Sequence, residues 1–350
     1  MSTDTDFMQR CFQLAELGRH TCRPNPAVGC VIAHGTGVVG EGWHQVAGQA
    51  HAEVMALAQA GERARGATVY VSLEPCAHQG RTGPCAEALV RAGVTEVVYS
   101  MQDPNPLVAG KGLQILREAG IRVRGPLLEA QAATVNPGFN KRMRQGLPWV
   151  RCKLGMSLDG RTAMANGESQ WITGPEARAD VQRWRARSCA ILTGSGTVLA
   201  DDPRLNVRLP EFRGSQPLRV VVDSHGRVPV TAQLRSDGGP LLLATTTAFP
   251  GPGDRVDLEA LLRHLAQEHS CNELLVEAGP VLSGALLVAG LVDELLVYIA
   301  PSLLGHEGRP MALLPGLEHL SQRIALRFTD VAMLGKDCRI RALPEIDPSA

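Results

Sequence analysis

The chain has 350 residues, 44% of them apolar and 20% charged. That composition excludes disorder along the whole length, and the length accommodates two domain cores. Lys plus Arg and Asp plus Glu number 35 each. Residues 1–147 carry 14 basic and 12 acidic side chains, leaving 21 and 23 for 148–350. Neither half has the basic surplus of a phosphate-backbone binder, so small polar molecules are expected as partners and nucleic acid is not. The longest apolar stretch, Ala285 to Val292, is far below the ~18 residues of a membrane helix. The polar, acidic N-terminus lacks a basic segment leading into an apolar run, so the expectation is no signal peptide and a cytoplasmic protein without membrane contact. Nine cysteines spread thinly over the chain do not make a disulfide framework.

In chain order, apolar spacing predicts a helix over 7–17, with Asp4 or Thr5 as its cap. Val28–Ala33 and Val38–Trp43 flank a HGTG turn and predict a β-hairpin. A helix follows from His51 to Ala60, stopped by Gly61, and then a strand over Thr68–Leu73. Pro84 opens a helix that ends at Gly93. Strand Val94–Ser100, helix Gly112–Ala119 and strand Ile121–Arg124 complete the first α/β series. The stretch VNPGFNKRMRQGLP, residues 135–148, has two prolines, two glycines and a basic run, which mark the domain junction. A second series begins at Trp149. Its strands are expected near 149–155, 189–193, 218–223, 241–245, 273–277 and 293–299, and its helices near 175–187, 257–268 and 280–289. The final 40 residues carry little signal. The apolar strand DELLVYIAP is a candidate subunit contact in a homo-oligomer.

The first half contains one imidazole and two thiols with a metal-binding character: His51, Cys76 and Cys85. Zinc accepts such a set, and a three-ligand catalytic zinc keeps its fourth position for water, whose pKa it lowers to about 7. Glu53 lies two residues beyond His51 in the first helical turn, placed to move protons without ligating. Cys85 follows Pro84 at a second helix start, where the positive helix end favours a thiolate. H-x-E followed by P-C-x-x-C is the pattern of zinc deaminases. Here eight residues, Ala77 to Pro84, separate the cysteines instead of two. A structural Cys–His site would need a fourth protein ligand, and Cys22 and Cys30 lack a CxxC arrangement to supply it.

PNPAVGCVI (24–32), HAEVMAL (51–57) and EPCAHQGRTGPC (74–85) resemble the deaminase half of the bifunctional riboflavin-biosynthesis deaminase–reductase family, whose own variant is the long cysteine spacing. The resemblance implies that Asn25, otherwise a turn residue between prolines, contacts the pyrimidine. His78, Arg81 and Thr82, in the loop between the cysteines, are candidates to hold the ring or the ribose phosphate, with plain loop residues as the equal alternative.

The second half has no G-x-G-x-x-G after its first strand, which argues against a Rossmann fingerprint. It does have a strand, a glycine turn and a helix start at VEAGP, 276–280, an arrangement that points N–H donors at an anion. KLGMSLDGRTA (153–163), ESQWIT (168–173), TVLADDPRLNVR (197–208), VVVDS (220–224) and VDELLVYIAPSLLG (292–305) resemble the reductase half of the same family, which is related in fold to dihydrofolate reductase. The resemblance implies NADPH, met by Gly155, Trp171, Thr197, Asp201, Ser224 and the turn Gly279, Pro280, Val281, Leu282, Ser283, Gly284 and Ala285. It places the substrate on Ser169, Arg185, Leu205, Arg208 and Glu277. Arg185 and Arg208 suit a dianionic phosphate, although an exposed helical arginine is the plain reading of Arg185. Lys153, on the first strand, needs a partner if buried. Asp201 or Glu277 would pair with it, or it would contact the sugar or its phosphate.

The expected architecture is a cytidine-deaminase-like three-layer α/β/α domain, 1–147, followed by a dihydrofolate-reductase-like α/β domain, 148–350. The expected activity is zinc-dependent deamination of 2,5-diamino-6-(5-phosphoribosylamino)pyrimidin-4-one, with Glu53 as proton carrier. NADPH reduction of the ribosyl group to a ribityl chain follows. A one-step nucleobase deaminase with a non-catalytic second half and a zinc-stabilised binding module are the competing readings at this point.

Overall fold

The computed structural model describes residues 3–77, 83–106 and 108–345. The chain forms two compact units, Met1–Gly146 and Leu147–Ala350.

The first unit contains helix α1 (Asp4–Gly18), strands β1 (Gly29–His34) and β2 (Gly37–Trp43), helix α2 (Ala52–Ala60), strand β3 (Thr68–Val71) and helix α3 (Cys85–Ala92). Strand β4 (Glu96–Tyr99), helix α4 (Lys111–Glu118), strand β5 (Arg122–Arg124) and helices α5 (Glu129–Val135) and α6 (Pro137–Gln145) follow. The sheet order is β2-β1-β3-β4-β5. β1 is antiparallel to both neighbours, while β3, β4 and β5 are parallel. Alternate strand residues serve two cores, as a period of two requires. Cys30, Ile32, Val69, Val71 and Val97 pack under α2, α3 and α4. Val31, Ala33, Tyr70 and Val98 pack against α1 and α5. The result is the expected three-layer α/β/α unit. α2 lies unusually close to β2: a Cβ on Gly42 would come within 2.4 Å of the Ala52 carbonyl oxygen. Only glycine permits that approach, and it fixes the start of α2, where His51 sits.

One local expectation is corrected and one is refined. α1 is capped by Thr3, whose hydroxyl accepts from the Asp6 N–H while the Asp6 carboxylate accepts from the Thr3 N–H. Asp4 and Thr5 instead lie inside the helix. The stretch 135–148 does contain the boundary between the units, at Gly146, as the expected junction, but most of it is helical. Pro137 starts α6, and Gly146 ends it with φ 68°, so the residues that marked a break punctuate a helix.

The second unit contains β6 (Trp149–Ser157), β7 (Arg161–Ala163), α7 (Pro175–Arg187), β8 (Ala190–Gly194), α8 (Ser195–Asp201), β9 (Leu218–Val222), β10 (Leu241–Ala244), β11 (Pro250–Gly251) and β12 (Arg255–Val256). After these come α9 (Leu258–Glu268), β13 (Glu273–Val276), α10 (Pro280–Val288), β14 (Glu294–Ala300), β15 (Arg309–Pro310), β16 (Leu326–Leu334) and β17 (Asp337–Pro344). Eight strands form one sheet in the order β10-β9-β8-β13-β6-β14-β17-β16. It is parallel from β10 through β14 and antiparallel across β17 and β16. α9 and α10 cover one face through Leu261, Leu265, Leu286 and Leu287. α7 covers the other through Ala177, Val181 and Trp184 against Ile191, Leu275, Leu296 and Tyr298. The C-terminal hairpin β16–β17, which had little sequence signal, completes the sheet. The expected contact strand, β14, is buried between β6 and β17 and is not a subunit surface. Among the described residues, no helix is long and apolar enough to cross a membrane.

Candidate active sites

In the first unit the three proposed ligands arrive from three local origins. His51 is the extended residue capping α2. Cys76 lies five residues past the end of β3, and Cys85 is the first residue of α3. Their ligand atoms all lie within 4.8 Å of one another. His51 Nδ1 is 3.5 Å from Cys76 Sγ and 3.3 Å from Cys85 Sγ, and the Cys85 N–H donates to Cys76 Sγ at 3.3 Å. The Cys85 thiol and His51 lower the Cys76 pKa. Cys85 is pushed up by its bond to Cys76 and by burial. A divalent ion would hold both sulfurs as thiolates. One imidazole nitrogen and two soft sulfurs therefore fit zinc, and three protein ligands leave a fourth position for chemistry.

Glu53 is buried beside this cluster. Burial raises its pKa to about 7, with the Cys76 charge adding to the rise. Its carboxyl stands beside the ligand set, placed to accept and return a proton. Asn25 stands at the same site through a residue that the sequence did not single out, His44. The His44 Nδ1 is 3.1 Å from the Ala50 carbonyl oxygen, which can only accept. The ring is therefore protonated at Nδ1, and its Nε2 accepts from the Asn25 amide N–H at 3.1 Å. The ring is edge-on to His51, with centroids 5.2 Å apart. Burial lowers its pKa and so favours the neutral form. His44 thereby leaves the Asn25 carbonyl oxygen for another partner. No motif marks His44; only its place after β2 reveals it. His78, Arg81 and Thr82 lie outside the described residues.

In the second unit the proposed residues cluster at the C-terminal ends of β6, β8, β9 and β13, the side where open α/β sheets bind ligands. Lys153 and Gly155 are on β6, and the Lys153 Nζ is 3.6 Å from where a Gly155 Cβ would stand. Thr197 is in α8, its hydroxyl 3.9 Å from where a Gly279 Cβ would stand. Ser224 follows β9, and its carbonyl accepts from Thr246 at 3.1 Å. Gly279 caps α10. Beyond Pro280, which has no N–H, the start of that helix presents the N–H groups of Val281 and Leu282. Ser283 is buried, with its hydroxyl donating to the Ala278 carbonyl at 3.3 Å. Gly284 is packed against the Leu313 backbone, and Ala285 is half-buried. Trp171 is 69% exposed and stacks on Arg178 at 4.6 Å, so it is not a core residue. Asp201 is exposed and Ser169 half-buried.

The charged residues are arranged differently from their sequence reading. Arg185 is buried, not an exposed helical arginine. It forms a two-pronged pair with Glu277 at 2.6 and 3.0 Å and donates to the Asn206 carbonyl at 3.0 Å. Glu277 therefore pairs with Arg185, and Lys153 makes no ion pair with a described residue. Burial would raise the Glu277 pKa, but Arg185, Lys153 and Arg208 outweigh it and hold the pKa below its usual value. Three cations around one carboxylate leave a positive excess. Arg208 is the exposed member, hydrogen-bonded to the Asn206 side chain at 3.1 Å. Leu205 is buried among Trp184, Ile191 and Tyr298, so it has only backbone to offer a ligand.

The first site defines a zinc-binding deaminase unit, and the second unit is the pyrimidine reductase half that its family match defines. Comparison with known proteins agrees in both halves. Residues 1–101 match the cytidine and deoxycytidylate deaminase zinc-binding region, and residues 148–340 match the RibD C-terminal domain. The riboflavin biosynthesis protein RibD of Escherichia coli is 51% identical, over 95% of this chain and 97% of that protein. That of Haemophilus influenzae is 50% identical, over 98% of both. Acinetobacter baumannii RibD superposes with a TM-score of 0.92 at 47% identity, covering 98% of this chain and 99% of that one. A Thermotoga maritima diaminohydroxyphosphoribosylaminopyrimidine deaminase/5-amino-6-(5-phosphoribosylamino)uracil reductase gives 0.86 at 30% identity, covering 97% and 98%. The chain belongs to the RibD family of riboflavin biosynthesis proteins.

Proposed function

We propose that this chain catalyses two successive steps of riboflavin biosynthesis, one in residues 1–147 and one in residues 148–350. The first is hydrolytic deamination of 2,5-diamino-6-(5-phosphoribosylamino)pyrimidin-4-one to 5-amino-6-(5-phosphoribosylamino)uracil and ammonia. The second is NADPH reduction of that product to 5-amino-6-(5-phosphoribitylamino)uracil. The observation that carries the first is the convergence of His51, Cys76 and Cys85 beside the buried carboxyl of Glu53. Zinc bound there supplies Lewis acidity that makes water acidic near neutral pH. Glu53 accepts the proton of the attacking water and returns protons to the ring nitrogen and the departing amine. Asn25, its amide turned by His44, accepts from an N–H of the pyrimidine.

In the second unit NADPH supplies the reducing equivalents. Gly155, Trp171, Thr197, Asp201, Ser224 and the segment Gly279–Ala285 hold it. For that segment, the contribution comes from the exposed edge near Val281 and Leu282. Arg208 and Lys153 take the substrate phosphate. Glu277 orients Arg185 so that its buried charge adds to the field at that phosphate without its paired N–H groups making the contact. Ser169 and the backbone of Leu205 complete the substrate side. The apolar edge strand β16, with Phe328, Val331 and Met333 exposed, supports assembly with a second copy of the chain. The thiol ligands and the NADPH requirement support a reducing, cytoplasmic setting.

Incubation with the diaminopyrimidinone substrate and NADPH tests the reading. Ammonia release and loss of NADPH absorbance are both expected, ammonia first. Stripping zinc with a chelator should stop ammonia release but leave reduction of supplied 5-amino-6-(5-phosphoribosylamino)uracil intact. Ammonia without NADPH consumption on that product would refute the second half.

A further inference from the structure

Past Val71 the chain leaves the sheet, so the ladder no longer holds the segment that carries Cys76. What holds it is a short set of polar anchors. The Ser72 N–H donates to the Gly29 carbonyl at 3.1 Å, and the Glu74 N–H to the Met101 carbonyl at 2.9 Å. The last anchor before the cysteine is the Glu74 side chain. It is 3% exposed and makes no ion pair with a described residue. One carboxylate oxygen accepts from the N–H groups of Asp103 at 3.2 Å and Gly110 at 2.9 Å. The other accepts from Gly112 at 3.0 Å and Leu113 at 3.5 Å. Three of these donors belong to the start of α4, where a negative charge is favoured. The fit is close: a Cβ on Gly112 would fall 1.8 Å from the Pro75 carbonyl oxygen. On its other side Cys76 is held by α3, through Cys85 N–H to Cys76 Sγ and Ala86 N–H to the Cys76 carbonyl at 3.2 Å.

We infer that Glu74 is a positioning residue for the metal centre: it clamps the Glu74–Pro75 backbone to the start of α4 and so fixes where the Cys76 sulfur stands. The inference rests on His51, Cys76 and Cys85 being the zinc site, and it adds a residue outside the ligand set. A buried carboxylate that accepts from four N–H donors is a demanding arrangement, since a replacement without both acceptor oxygens leaves donors unmatched. Glutamine illustrates this. Its NH2 would face two backbone N–H groups, donor against donor. Aspartate keeps the acceptors but is one methylene shorter.

The test measures zinc release and the cobalt spectrum of the full-length protein. Parent, Glu74→Gln, Glu74→Asp and a core control, Val97→Ala in β4, are loaded with zinc, and metal release to a chromophoric chelator is timed. Release at least about tenfold faster is expected for Glu74→Gln and an intermediate rate for Glu74→Asp, while Val97→Ala should release at the parent rate despite a lower melting temperature. Loss of the groups that orient metal ligands typically costs about 10–100-fold in affinity. The cobalt-substituted Glu74 variants should also show a weakened sulfur-to-cobalt charge-transfer band. Should Glu74→Gln fail to fold, Glu74→Asp carries the comparison. Parent-like release and spectrum in Glu74→Asp and in any folded Glu74→Gln would overturn the inference. So would release that tracks melting temperature equally in Val97→Ala. A parent chain that takes up no stoichiometric zinc would instead overturn the zinc site itself.

Discussion

Replacing Glu277 with glutamine keeps the side-chain shape and removes its charge. Glu277 takes two N–H donors from Arg185 at 2.6 and 3.0 Å, and the two side chains are only 12% and 9% exposed. Each charge-assisted hydrogen bond contributes about 1.5–3 kcal/mol. Glutamine preserves one hydrogen bond and leaves a buried guanidinium without its counter-ion, with Lys153 and Arg208 nearby. Breaking one side of a buried pair costs about 3–5 kcal/mol. With a urea slope near 2 kcal/mol per molar, the unfolding midpoint of the second unit should fall by roughly 2 M. Tryptophan fluorescence reads that unit well, because Trp149, Trp171 and Trp184 lie in it and only Trp43 lies in the first. The folded pKa of Glu277 is held low, so its stabilisation is complete above the ordinary carboxylate value near 4.3 and disappears as pH falls through the lower folded value. The gap between parent and variant should be flat from pH 7 to about 5 and close in more acidic urea titrations. A double change, Arg185→Met with Glu277→Met, should recover much of the loss, because it removes both buried charges. A midpoint shift under about 0.3 M for Glu277→Gln at pH 7 would show that the pair does not hold this site together.

Other outcomes follow from the two sites. Glu53→Gln should lower ammonia release by at least ~100-fold, the usual scale of general acid–base catalysis, while zinc content stays stoichiometric by elemental analysis. Ammonia release at the parent rate would remove Glu53 from proton transfer. Arg208→Ala should raise the KM for the phosphorylated acceptor about tenfold or more and leave the KM for NADPH unchanged. Equal rises in both would reject Arg208 as a phosphate ligand.

The elements with strong periodicity stood out in the residues themselves. The hairpin over 29–43, α2 stopped at Gly61, and the strand–helix alternation from Trp149 to Ala300 follow from apolar spacing and from turn and cap chemistry, which act within a few residues. α6 did not, because Pro137 and Gly146 bound a helix as readily as they mark a loop. The strands β16 and β17 did not, because an exposed edge strand mixes Arg327, Phe328 and Met333 without strict alternation. In the first site His51, Glu53, Cys76 and Cys85 were legible because metal chemistry restricts the residue types, whereas His44 lies outside every motif and Glu74, although it opens EPCAHQGRTGPC, acts through backbone partners that spacing does not reveal.

Local chemistry along the chain was enough to set the layered α/β character, the ligand set and the deaminase chemistry, because each depends on residue type and short spacing; the reductase chemistry came only from the family resemblance of the second half. Pairing between distant charges was decided only by folding. Arg185 and Glu277 are 92 positions apart; Glu277 could have served Lys153 or Arg208 instead, and Arg185 another carboxylate or solvent. Which partner each charge takes depends on the parallel register that sets β13 between β6 and β8. It also depends on how far burial raises the cost of leaving that charge unmatched.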